Sequence, residues 1–185
     1  SYKVLRDYIL YWGTQVENQS ATTLINYINH DRLPSLTVML AASPTIGIWN
    51  LNASAIVMKQ WFSLDAAGQR RTYNNPLFVG SLNNTFTLPA GFLLSADFNY
   101  QSRGQVQNIT LKRPQYTLNI GLRKSLFNDA LSIEARANDL LLGCKQEALL
   151  YMESAQMKDL SWSDTRSFSL TAVSYTHLTL PTKRI

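Results

Sequence analysis

The 185-residue sequence has one cysteine, Cys144, two histidines, His30 and His177, and charged side chains at only 16% of its positions. A lone cysteine excludes an intrachain disulfide and the paired-cysteine spacings of a zinc site. Two isolated histidines make no metal cluster, and no cofactor motif stands out elsewhere. No apolar run reaches the ~18 residues that a transmembrane helix requires. A chain of this kind can cross a membrane only as strands closed into a barrel, because lipid leaves no backbone polar group unpaired. The sequence opens at Ser1 without Met or a signal-peptide pattern, which reads as a processed chain or one lacking its start.

What replaces the missing charge is uncharged polarity. Asn, Gln, Ser and Thr total 56 residues, against 29 charged ones (17 basic plus 12 acidic). A soluble domain averages ~25% charged residues and keeps its surface wet with them. A membrane barrel instead turns one face to lipid and lines its interior with small polar groups. The formal charge of +5 is scattered and forms no Lys/Arg run, so it reads as solvated loop charge and not as a nucleic-acid surface.

Period-two alternation dominates the chain, and it puts alternate side chains on opposite faces of a strand. In Phe92 to Gln101, Phe92, Leu94, Ala96, Phe98 and Tyr100 share a face opposite Ser95, Asp97, Asn99 and Gln101. Tyr116, Leu118, Ile120 and Leu122 oppose Thr117, Asn119, Gly121 and Arg123. Leu131, Ile133, Ala135 and Ala137 oppose Ser132, Glu134, Arg136 and Asn138. Phe78, Leu82, Phe86 and Leu88 form a further apolar set, as do Leu36, Val38, Leu40 and Ala42.

Short connections with Pro, Gly, Asn and Asp fall at Ser43–Gly47, Pro89–Gly91 and Phe127–Asp129. Longer polar connections lie at Ser63–Asn75, Ser102–Pro114 and Gly143–Arg166. Short turns on one side and long loops on the other predict an all-β, antiparallel, up-and-down transmembrane β-barrel segment. Its eight strands run roughly over 2–15, 22–42, 48–61, 76–88, 92–102, 114–126, 130–142 and 166–172.

Trp49 and Trp61 share a face, twelve steps apart. At ~3.3 Å per step and ~40° of tilt they lie about 30 Å apart along the membrane normal, near the ~25 Å apolar band with its aromatic girdles. Trp49, Trp61, Tyr100 and Tyr116 are therefore the expected membrane-interface aromatics, and Lys59 lies where an ammonium can reach water.

Leu88–Ser102 (LPAGFLLSADFNYQS), the strand Tyr116–Lys124, Leu126–Leu141 (LFNDALSIEARANDLL), Asp164–Thr171 (DTRSFSLT) and Ser43–Asn52 (SPTIGIWNLN) together resemble the outer-membrane β-barrel of TonB-dependent receptor-like proteins of Bacteroidota. That resemblance implies a barrel of about 22 strands in the outer membrane of a Gram-negative bacterium, preceded by a plug domain. It further implies contact with the TonB complex, insertion by the barrel-assembly machinery and, in some cases, a surface lipoprotein partner. The implied role is binding and import of a scarce solute such as a siderophore, cobalamin, glycan or peptide. Val173–Ile185 (VSYTHLTLPTKRI) resembles the read-through of a transposon-derived sequencing adapter. We therefore expect 1–172 to be barrel and 173–185 a non-native tail, which leaves a charge of +3 once Lys183 and Arg184 are removed from +5.

The expected lumen lining, in contact with substrate or plug, is Asn50, Asn52, Asp97, Asn99, Asn119, Arg123, Glu134 and Arg136. Of these, Arg123, Glu134, Arg136 and Asp97 suit an ion-pair network that holds the wall. Loops around Gln69–Asn75, Arg103–Lys112 and Lys145–Trp162 are the expected points of first solute contact. Asn138-Asp139 reads as a turn-forming pair. No nucleophile motif accompanies His30 in NHDRLP, so no catalytic residue is expected. Tyr and Trp fall on the apolar parity or in loops, which argues against base stacking on nucleic acid. A passive porin, a structural barrel, a barrel hydrolase and a soluble all-β binding protein are the alternatives.

Overall fold

The computed structural model describes residues 1–16, 23–153 and 156–174. Its strands are β1 (Tyr2–Gln15), β2 (Thr23–Ala42), β3 (Thr45–Ile46), β4 (Trp49–Gln60), β5 (Phe62–Ala66), β6 (Gln69–Tyr73), β7 (Leu77–Leu88), β8 (Phe92–Gln101), β9 (Gly104–Val106), β10 (Ile109–Leu111), β11 (Gln115–Leu126), β12 (Leu131–Asn138), β13 (Lys145–Tyr151), β14 (Gln156–Trp162) and β15 (Ser167–Ser174). Eight of them form one antiparallel wall in the order β1-β2-β4-β7-β8-β11-β12-β15, with β3 added to β4. This is an arc of up-and-down barrel, with each strand beside its sequence neighbour. β1 and β15 are its two margins.

The register follows the alternation. Successive strands place apolar partners in rows across the wall, for example Ala53↔Leu82 and Leu82↔Phe98, then Phe98↔Leu118. Another row joins Trp49↔Phe86, Phe86↔Leu94, Leu94↔Leu122 and Leu122↔Ala135. A one-residue slip in any pair would move a whole apolar set to the polar face, which is why the register is so tightly specified.

The short connections do as their residues suggest. Gly47 (φ 58°), Ala90 (φ 59°), Gly91 (φ 73°) and the run Phe127, Asn128, Asp129 (φ 55°, 52°, 67°) take left-handed conformations that turn the chain sharply. The long connections differ from expectation. They are not simple polar loops: β5–β6 is a hairpin, and β9, β10, β13 and β14 form a separate sheet in the order β14-β13-β10-β9. The strand expected to continue to 142 ends at Asn138, because Asp139 (φ 46°) and Leu142 (φ 50°) break the extended backbone. Trp61 lies just past the end of β4 instead of within it. β15 continues through Val173 and Ser174, which pair with Ser132 and Leu131, and 175–185 lie outside the described residues.

The buried apolar core lies at the loop end of the wall. β1 pairs with the half of β2 that precedes the segment pairing with β4, so β1 and that half of β2 extend past β4 as an arm of the wall. Leu10, Trp12 and Leu33 of this arm pack against Phe62, Leu64, Ala66 and Tyr73 of the β5–β6 hairpin. Tyr8, Ile28 and Tyr151 cover the cluster, and His30 lies 5.2 Å from the Phe62 ring.

Candidate functional site: the polar face and its loop cover

The polar face is built of matched rows. Asn52 faces Asn83, Asn83 faces Asp97 and Asp97 faces Asn119. One row nearer the loops, Ser54 and Ser81 share a hydrogen bond of 2.8 Å, and the Asn99 amide donates to Thr117 Oγ1 at 3.4 Å. Neighbouring polar side chains thus pair with one another across strands.

Charge gathers on β8, β11 and β12. Arg136 reaches Asp97 at 3.4 Å and Glu134 at 3.6 Å. Asp97 is two strands from Arg136. Between them lies Gly121, paired in register with both Arg136 and Ser95, whose missing side chain leaves the guanidinium room to cross. Arg123 faces Glu134 in register and is exposed. Two acids and two bases make this patch neutral overall.

The remaining expected lining residues have more local partners. Asn50 Oδ1 accepts from Thr45 Oγ1 at 2.7 Å, and Asn52 Oδ1 from Ser43 Oγ at 3.2 Å, so both brace the short turn before β4. Asn119 Oδ1 accepts from the Asp139 backbone N–H at 2.9 Å. Asp139 is itself buried in a turn, and its Oδ2 accepts from Thr165 at 2.6 Å.

The apolar face carries aromatics at both rims. At the short-turn rim Trp49 stacks on Phe86 (6.3 Å, 9°), and its Nε1 donates to Asn84 Oδ1 at 3.0 Å. Asn84 is the one polar side chain in that row, and this bond together with its donation to Ala96 O accounts for its polarity. At the loop rim Tyr100 faces Tyr116 in register, with Phe78 6.0 Å away. The two lysines of this face lie at opposite rims. Lys59 sits 5.2 Å from the Trp61 ring, and Lys124 lies 4.2 Å from the Phe92 ring while donating to Ala90 O. Both place the ammonium where it can leave the apolar band.

Alternation gave no sign of what covers the polar face. The β9–β10 turn leans back to β4 and β1. Gln60, on the polar parity of β4, accepts from the Gln107 backbone N–H at 2.8 Å, and its own amide donates to Gln107 O. Gln107 also donates to the Tyr8 hydroxyl, and Asn108 donates to Tyr11 O at 2.7 Å. Gln105 Oε1 accepts from the N–H groups of both Asn74 and Asn75 at 2.8 and 2.9 Å. Just past β13, Glu153 N–H bonds Gly13 O at 3.2 Å, and Ala67 N–H bonds Met152 O at 2.8 Å. Three connections and the β1–β2 arm are thereby tied into one assembly. Two glycines were the available clue. Gly104 and Gly143 sit where a Cβ would come within 2.5 Å of Pro76 O and 2.1 Å of Tyr116 O.

The outer sheet has an acid-sensitive joint. Hydrogen bonds from Lys158 (2.9 Å) and Arg113 (2.8 Å) hold the Glu147 carboxyl below its ordinary range, Lys158 contributing most. A group whose folded pKa is depressed stabilises the fold above the ordinary carboxylate range, and that stability is lost as pH falls through the folded value. We expect amide exchange in β14 to accelerate on acidification in the wild type, and Glu147→Gln to flatten that dependence.

A family model described as "Outer membrane protein beta-barrel family" matches residues 2–175. No curated protein and no solved structure matches the chain.

Proposed function

Because the chain belongs to the outer membrane protein beta-barrel family, we propose that it forms wall and loop cover of a receptor importing a scarce extracellular solute with energy delivered through TonB. Family membership puts the protein in the outer membrane of a Gram-negative bacterium; on this reading the apolar rows face lipid and the polar rows face the lumen. Barrels of this kind are generally not enzymes.

The observation that carries the reading is the ordered loop cover. A receptor must hold its ligand on a rigid platform before passing it inward. Here three loop connections and a strand arm are cross-bonded, and the Gln60–Gln107 amide pair fixes them over the polar face. The siderophore, cobalamin, glycan and peptide classes all fit such a platform. A plug domain, the barrel-assembly machinery and a surface lipoprotein are the partners this reading calls for.

A passive or structural barrel is the second reading, favoured by the self-neutralising Arg136 patch, which makes ion pairs within the wall. Solute uptake by cells carrying the complete gene, with TonB present or deleted, separates the two. The receptor reading expects accumulation against a gradient only when TonB is present. Equal, non-concentrative uptake in both strains would hand the assignment to the passive barrel.

A further inference from the structure

Between β6, the β9–β10 hairpin and the end of β13 lies a cavity of about 270 Å³. Among the described residues, its lining includes Arg70, Arg71 and Lys112 and no carboxylate. Arg70 is spoken for, since it pairs with Asp65 at 3.1 Å. Arg71 is oriented but not neutralised: its Nε donates to Ala66 O at 3.2 Å, and its guanidinium lies 3.5 Å from the centre of the Tyr151 ring. Lys112 is exposed, and the nearby Glu147 carboxylate is occupied by Arg113 and Lys158. Two cations therefore border one cavity without an anionic partner among the described residues.

The cavity wall also includes a buried phenol. Tyr73 lines the cavity, is only 1% exposed, and its buried hydroxyl has no hydrogen-bond partner among the described residues. Buried phenols normally find an acceptor, and leaving one unpaired is costly. Burial raises the pKa of Tyr73, outweighing the opposing pull of Arg71, so the hydroxyl keeps its proton.

We propose that this cavity is the first binding site for a small organic oxyanion, a solute bearing a carboxylate, sulfate or phosphate group held by Arg71 and Lys112. The inference rests on the solute-receptor reading and narrows its substrate class. A neutral solute would gain little from two unpaired cations, whereas an oxyanion gains charge-assisted hydrogen bonds from both. The volume falls just below the ~300–1,000 Å³ of ordinary ligand pockets, which suits a small acid or one acidic group of a larger solute.

The test uses the whole barrel in non-ionic detergent, titrated calorimetrically with glucose, glucuronate and glucose 6-phosphate, three solutes built on one ring and differing in charge. We expect both acids to bind at least about tenfold more tightly than glucose, the worth of one hydrogen bond to a charged group. The advantage should shrink with added salt. Lys112→Glu should remove that advantage, bringing the two acids to the level of glucose; the residue is exposed, and retention of the heat-resistant folded band checks that the barrel is intact. The inference is overturned if the three sugars behave alike, including no binding by any, or if Lys112→Glu keeps the preference. It is equally overturned if an anionic phospholipid added to the micelles displaces glucuronate, because the site would then belong to a lipid headgroup. Failure here with TonB-dependent uptake intact sinks only the substrate class. Passive uptake with anion preference intact sinks only the transport reading.

Discussion

Leu82→Arg should lower the stability of the folded barrel in lipid vesicles by about 2–4 kcal/mol, the cost of a cation on the lipid face at mid-bilayer. Asn83→Arg, one residue away, should cost far less. The contrast follows from the register. Leu82 lies midway along β7, between Ala53 of β4 and Phe98 of β8, in the middle of the apolar band. It borders a shallow, mainly apolar hollow left by the small residues Ala53, Ala55 and Gly80, whose described lining holds no carboxylate to take up a guanidinium. Lys59 and Lys124 are tolerated on the same face only because they sit at its two rims, over Trp61 and Phe92. Asn83 points the other way, between Asn52 and Asp97, where an added cation meets amides and a carboxylate. Urea titrations of folding into vesicles would measure both variants. Equal losses for the two would mean that the faces are not lipid and lumen, and the barrel assignment of β7 would fail with them.

How much of this could be read from sequence depends on which interaction fixes each part. The wall was legible because period-two patterning and membrane solvation act together: Phe92, Leu94, Ala96, Phe98 and Tyr100 can share a face only if the segment is extended. Seven of the eight expected strands match the observed wall to within two residues at each end, β12 being the exception. The loop side was not legible. Phe62, Leu64 and Ala66 alternate as any strand would, but their partners Leu10 and Trp12 are about fifty residues away. The cover depends on amide-to-backbone bonds such as Gln60 to Gln107, which leave no periodicity. The lining residues show a middle case. Asp97, Glu134 and Arg136 were expected together and are brought together, whereas Asn50 and Asn52, read as passage lining, spend their carboxamide oxygens on the short turn.

Gly104→Ala should release the loop cover while leaving the wall folded. Gly104 opens β9 against the chain that leads into β7, where a Cβ would fall 2.5 Å from Pro76 O and 2.9 Å from Leu77 Cα. Both obstacles are backbone, so neither can rotate aside, and β9 itself has to move. Overpacking of this kind costs about 1–3 kcal/mol, and occasionally more. The displacement also strips Gln105 Oε1 from the Asn74 and Asn75 N–H groups and draws the Gln107 and Asn108 tip away from Gln60, Tyr8 and Tyr11. Each lost bond adds roughly 1 kcal/mol. Apart from Gln60 at the end of β4 and Tyr8 and Tyr11 of β1, the wall strands take no part in these bonds; their own ladder runs from β4 through β7 to β8. Hydrogen exchange should therefore accelerate at the amides of Asn75 and Gln107 and stay slow at Asn83 and Phe98. Uniform acceleration throughout would mean that cover and wall fold as one unit. Unchanged protection at Gln107 would mean that the close approach of β9 to Pro76 does not hold the cover in place.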